Sequence, residues 1–190
     1  MIHNFARLRD PRALDILPRA LQVAEATNLP DEAQRFYMNI GDFYFFSGNL
    51  EKALENYEAG LALSDKIVQP HTGYLATLHY SIGNVKNIQG DPAGALPSLQ
   101  KALDFATARK EDWLISECLL GIGRVYANEK NFDRAIAVAE QALAPVLKMN
   151  SFEHIAKSYL GEGKAKAGRI IGVISLILWS IALLSRLSQL

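Results

Sequence analysis

Ile40-Gly41-Asp42-Phe43-Tyr44, then Gly48-Asn49, then Ala53-Leu54-Glu55-Asn56-Tyr57 and Gly60-Leu61, is a phrase that recurs along this chain. It returns as Ile82-Gly83-Asn84, Gly90-Asp91, Ala95-Leu96, Leu99 and Ala102-Leu103. It returns again as Ile122-Gly123-Arg124-Val125-Tyr126, Asn131, Ala135-Ile136 and Ala142-Leu143. Gly41, Gly83 and Gly123 are spaced by 42 and 40 residues. A fixed period in this range marks an array of stacked units, each too small to bury its own apolar faces.

Inside each copy, Gly and Ala stand 12 residues apart, and a second small residue follows 7 later at Gly60, Ala102 and Ala142. Small residues two helical turns apart share one helix face, which lets a partner helix approach closely. Large residues such as Tyr44, Tyr57 and Tyr126 fill the space between. Each unit therefore reads as two antiparallel amphipathic helices.

This pattern resembles the tetratricopeptide repeat (TPR) family. Tyr37, Ile40-Gly41, Tyr44, Gly48, Ala53, Tyr57 and Gly60 match its motif, as do Leu119, Ile122-Gly123, Tyr126, Ala135 and Ala142. The second copy departs from it: Lys86 stands where an aromatic is expected, and Leu99 replaces the second aromatic. The period is longer than the ~34 residues of the standard repeat, as in the long repeats of kinesin light chains and maltose-activator-type regulators. The fold the resemblance implies is all-α, a right-handed superhelix of stacked antiparallel helix pairs.

The expected organisation is a repeat domain over residues 1–169 and an apolar segment over 170–190. Within the first lie a half repeat at about 10–28, repeats at about 31–66, 72–108 and 111–148, and a partial repeat from 151. Helices are expected over 31–47, 50–66, 72–89, 92–108, 111–129 and 132–148. Gly163 lies 40 residues after Gly123 and marks the fourth unit.

Twenty basic residues balance twenty acidic ones, so no strong field draws the chain to nucleic acid. The single cysteine, Cys118, allows no internal disulfide and suits a reducing compartment. Residues 1–18, broken by Arg7, Arg9, Asp10, Arg12 and Asp15, do not form a secretory signal. A cytoplasmic location is the expectation.

Ile170 to Ser185 carries no charge. As a helix, the 16 residues between Arg169 and Arg186 span roughly 24 Å at ~1.5 Å each, short of a ~30 Å hydrocarbon core. Snorkelling arginines would narrow that gap. Three readings of this tail stand side by side: a membrane anchor, the closing helix of the fourth repeat, or a foreign end. Ser175, Trp179 and Ala182 fall in register for the closing helix.

No catalytic motif is present. His3, His71, His79 and His154 have no ligand spacing for a metal, and Gly121-Ile122-Gly123 and Gly161-Glu162-Gly163 lie inside helices rather than after a strand. His79 and Cys118 read as packing residues. The chain is read as a non-enzyme without cofactor or metal.

What remains is surface. The TPR resemblance implies that the first helix of each unit lines a concave groove, and it names the positions that face it. These include Arg35, Met38, Asn39, Asp42 and Phe45, then Thr77, Tyr80, Asn84 and Asn87, then Glu117, Leu120, Arg124 and Asn128, and Lys157 and Lys164 in the fourth unit. From these, Arg35, Asp42, Tyr80, Asn84, Asn87, Arg124, Asn128, Lys157 and Lys164 are the expected contacts to a protein or peptide partner. Asn amides both donate to and accept from a peptide backbone, and Arg and Lys pair with carboxylates. A chaperone-type clamp of Lys and Asn is not met, because Met38 and Asp42 hold its key positions.

The expected function is a non-catalytic scaffold that binds a partner peptide or helix. Two alternatives are a sensor or relay fragment of a larger signalling or transcription regulator, and a tail-anchored membrane adaptor. For the adaptor, Lys164, Lys166 and Arg169 ahead of the apolar run would keep the repeats in the cytoplasm.

Overall fold

The computed structural model describes residues 13–148; the expectations for residues 1–12, for the fourth repeat with Lys157 and Lys164, and for the 170–190 tail lie outside them. Among the described residues there are seven α-helices and no strand. They are α1 (Ala13–Ala26), α2 (Pro30–Phe46), α3 (Leu50–Ala62), α4 (Thr72–Ile88), α5 (Pro92–Ala108), α6 (Asp112–Asn128) and α7 (Phe132–Lys148). By backbone contacts the chain divides into two compact units, one ending at Arg109 and the other beginning at Lys110. In the first, α2 packs on α3 and α4 on α5, with α1 against α2 and α3 against α4. In the second, α6 packs on α7.

The turn inside each pair is built the same way three times. The first helix ends in a left-handed residue, Gly48 (φ +82°), Gly90 (φ +80°) or Lys130 (φ +62°). The amide after it reaches back five residues, from Asn49 to Tyr44, Asp91 to Lys86 and Asn131 to Tyr126, at 2.8–2.9 Å. This is a Schellman closure, which satisfies carbonyls the helix end would leave open. The same residue then caps the next helix: the Asn49, Asp91 and Asn131 side chains accept from the amides of Lys52, Gly94 and Arg134.

Lys130 is the one member of the three that pays a steric penalty for its left-handed backbone. Lys130→Gly is therefore expected to raise stability by about 0.5–1 kcal/mol. A higher urea midpoint at unchanged slope would show it; a lower midpoint would contradict it.

The expected helix over 50–66 is shorter than the sequence suggested. It ends at Ala62, tightens into a 3₁₀ turn over Leu63–Lys66, and Ile67 is extended and buried. Ile67 leaves the helix to bury its side chain, and Pro70 close behind it blocks any return to a helix.

The first unit is centred on Ala53, Tyr57, Leu78, Ile82 and Val85, with Met38, Tyr44, Phe45, Leu50, Leu54 and Leu61 packed around them. The Tyr57 ring lies directly on Gly41, where an added Cβ would sit 2.5 Å from a ring carbon. Gly83 meets Leu99 in the same manner, at 2.6 Å. In the second unit the position in register is Ala139, and an added Cβ on Gly123 meets nothing closer than the Ala135 carbonyl oxygen at 3.5 Å. Two glycines are thus required by the side chain opposite, and the third is not.

Candidate partner-binding face

Helical periodicity decides which side chains share a face. On α2, Arg35, Met38, Asp42 and Phe45 recur at three- and four-residue steps, and on α4 so do Tyr80, Asn84 and Asn87. On α6, Arg124 and Asn128 are one turn apart. The opposite faces of α2 and α4 carry Ala33, Ile40, Leu75, Leu78, Ile82 and Val85, which are buried. Core burial therefore fixes the rotation of α2 and α4 and leaves Met38, Asp42, Phe45, Tyr80, Asn84 and Asn87 partly exposed.

Arg35 is exposed, pairs with Glu32 on its own helix and lies over the Phe36 ring at 5.4 Å. Its charge is thus compensated within the first turn of α2. Tyr80, Asn84 and Asn87 are half-buried on α4, and each has a partner within the protein, so their side chains are held rather than loose. In the second unit, Arg124 is half-buried and Asn128 exposed, and both likewise have partners. Leu120, expected to face the groove, is buried instead.

Asp42 is strongly perturbed. The Tyr57 hydroxyl donates to its carboxylate at 2.7 Å. Burial pushes the carboxyl up to about 6, and the Tyr57 hydrogen bond pulls partly the other way. Tyr57 is itself 1% exposed, and its hydroxyl also bonds to Ser81 on α4. One hydroxyl thus ties together α2, α3 and α4. In the sequence Tyr57 reads as a packing residue; its role in aiming Asp42 has no sequence signal beyond an aromatic beside a small-residue face.

Lys86, the mismatch in the second repeat, reaches from α4 to Glu58 on α3 at 3.6 Å. Its aliphatic stem lies over Gly94, where an added Cβ would come within 2.9 Å of it. The stem occupies the space an aromatic ring would fill, and Gly94 makes room for it.

His79 stacks on Phe105 with centroids 6.0 Å apart, and burial and Lys101 hold its imidazole below the usual range. Cys118 is fully buried, and burial pushes its thiol up to about 12, which leaves it unreactive. Both residues pack, as the sequence suggested. Among the described residues no group of three His, Cys, Asp or Glu could hold a metal, and no helix is long and apolar enough to cross a membrane.

The family model for the tetratricopeptide repeat matches residues 32–108 and 74–144, together more than half of the chain. The chain belongs to the tetratricopeptide repeat family. TPR repeats generally mediate protein–protein interaction, and the family is typically a non-catalytic scaffold. Among solved structures, the crystal structure of BtubC (BKLC) from P. vanneervenii is similar, with a TM-score of 0.61 and 12% sequence identity. The similarity covers 88% of this TPR chain and 70% of that one and shows a shared fold. No curated protein matches by sequence.

Proposed function

We propose that this TPR chain is a non-catalytic scaffold that takes an extended or helical segment of a partner protein against the outward faces of its first helices. The observation that carries the reading is the α4 face. Tyr80, Asn84 and Asn87 stand on one side of that helix, half-exposed, while its other side forms part of the first unit's core. Two amides offer both donors and acceptors to a peptide backbone, and the tyrosine adds an amphipathic contact. In the second unit, Arg124 on α6 holds the position that Asn84 holds on α4, and Asn128 follows one turn on. Lys157 and Lys164 extend the proposal into the fourth repeat, and a cytoplasmic setting fits the lone unreactive thiol.

The test uses the full chain and a displayed library of random twelve-residue peptides. Peptides selected on the wild type should lose at least about tenfold in affinity for the Asn84→Ala, Asn87→Ala double variant, the scale of one or two lost hydrogen bonds. The helical signal and melting temperature should stay close to wild type. Unchanged affinity would overturn the assignment of these faces.

A further inference from the structure

We propose that Asp42 is the charge-reading point of the α2 face, and that it selects partner segments presenting a lysine or arginine next to an apolar residue. This rests on the reading of the first-helix faces as the partner site and names the chemistry that one of them takes.

Three observations lead there. The carboxylate is aimed by a fixed group: the Tyr57 hydroxyl holds it at 2.7 Å, and the ring carrying that hydroxyl is buried against Gly41. It is also uncompensated. Among the described residues no cation pairs with Asp42. The cations on these helices are engaged elsewhere, Arg35 with Glu32, Lys86 with Glu58, and Lys52 over the Tyr44 ring at 5.2 Å. On the neighbouring elements, Glu25 of α1 accepts from the Tyr37 hydroxyl, and the neutral hydroxyls of Tyr80 and Ser81 on α4 lie beside that of Tyr57. Finally, the surroundings suit a long basic side chain. Met38 and Phe45 lie one turn to either side of Asp42 on α2 and are only partly buried. They can cover the methylene stem of a lysine or arginine while its head meets the carboxylate.

The physical consequence is selectivity. Asp42 is ionised at pH 7.5, because even its raised carboxyl titrates near 6. Half-buried and lacking a counter-charge, the ionised group is held at a cost in the free protein. A partner cation relieves that cost and meets a charge screened less than one in open solvent. An acidic segment at the same place would meet like charge. Asp42 thus stands opposite in sign to the basic clamp positions that receive carboxylate tails, which suits a different class of partner.

The same random-peptide selection on the full chain at pH 7.5 tests this. Selected peptides that depend on Asn84 should be enriched in lysine or arginine beside an apolar residue. Asp42→Asn, which keeps an oxygen for the Tyr57 hydroxyl, should weaken them by about ten- to a hundredfold, the scale of a hydrogen-bonded charge. Replacing the peptide's basic residue by glutamine should remove the sensitivity to Asp42→Asn. Peptides that need Asn84 but bind Asp42→Asn as well as wild type would overturn this inference and leave the scaffold reading intact. Failure to select any peptide sensitive to the first-helix faces would overturn both.

Discussion

Gly41→Ala is expected to lower the unfolding free energy by about 2–3 kcal/mol, the cost of forcing a methyl group into a packed contact. The methyl would sit 2.5 Å from the Tyr57 ring. That ring has little room to retreat: it is 1% exposed, and its hydroxyl is bound to Asp42. Gly123→Ala, at the same place in the third repeat, should behave oppositely. There the nearest atom is 3.5 Å away, and alanine is the better helix former by up to about 1 kcal/mol, so stability should hold or rise. Urea denaturation of the two variants side by side checks both signs. A mild effect for Gly41→Ala, or a large loss for Gly123→Ala, would show that the helix contacts are misassigned.

At Asp42 a second large effect is expected, and it depends on pH. The carboxyl is raised from 3.8 to about 6 in the folded protein, chiefly by burial. The folded state therefore holds this proton more tightly than the unfolded chain. The stability linked to it is fully present below pH 3.8 and is lost as pH rises through about 6. A shift of this size corresponds to at most about 3 kcal/mol. Asp42→Asn removes the titration and keeps an acceptor for Tyr57, so it should be more stable than wild type at pH 7.5 by about 1–3 kcal/mol. The advantage should shrink toward acid across pH 6 to 4. Comparing the two proteins at each pH cancels the carboxylates they share. A difference that stays flat from pH 7.5 to 4 would mean that Asp42 titrates like an exposed acid.

Read together with the scaffold proposal, this makes Asp42 a residue kept at a cost to stability. Asn84, its counterpart one repeat on, carries no such cost and stands near no equivalent tyrosine, because Leu99 holds the place of Tyr57. The two repeats therefore present different chemistry from the same helical position.

The helix pairs were legible in the sequence because their cause is local and periodic. Gly41, Gly83 and Gly123 open each first helix to a close partner, and Asn49, Asp91 and Asn131 announce each second helix as caps. The end of α3 was not legible. Leu63 to Lys66 continues the helical pattern, and only the burial of Ile67 ends it. The family register names the positions expected to face a partner, and one of them, Leu120, is buried. On α6 the run from Cys118 to Gly123 is buried throughout, so burial spreads around the helix to include it. The link from Tyr57 to Asp42 was out of reach, since it joins residues 15 apart on different helices and depends on where a ring ends. The cost of Lys130 was equally hidden, because a left-handed lysine looks like any surface lysine until the turn geometry is known.

The most direct measurement of the central claim is backbone amide mapping by NMR, on the full chain titrated with a peptide selected from the displayed library. The scaffold account predicts shifts concentrated on the outward faces of α2 and α4, at Met38, Asp42, Tyr80, Asn84 and Asn87, with the exposed sides of α3 and α5 unmoved. Shifts confined to α3 and α5 would contradict it and place the partner surface on the second helices.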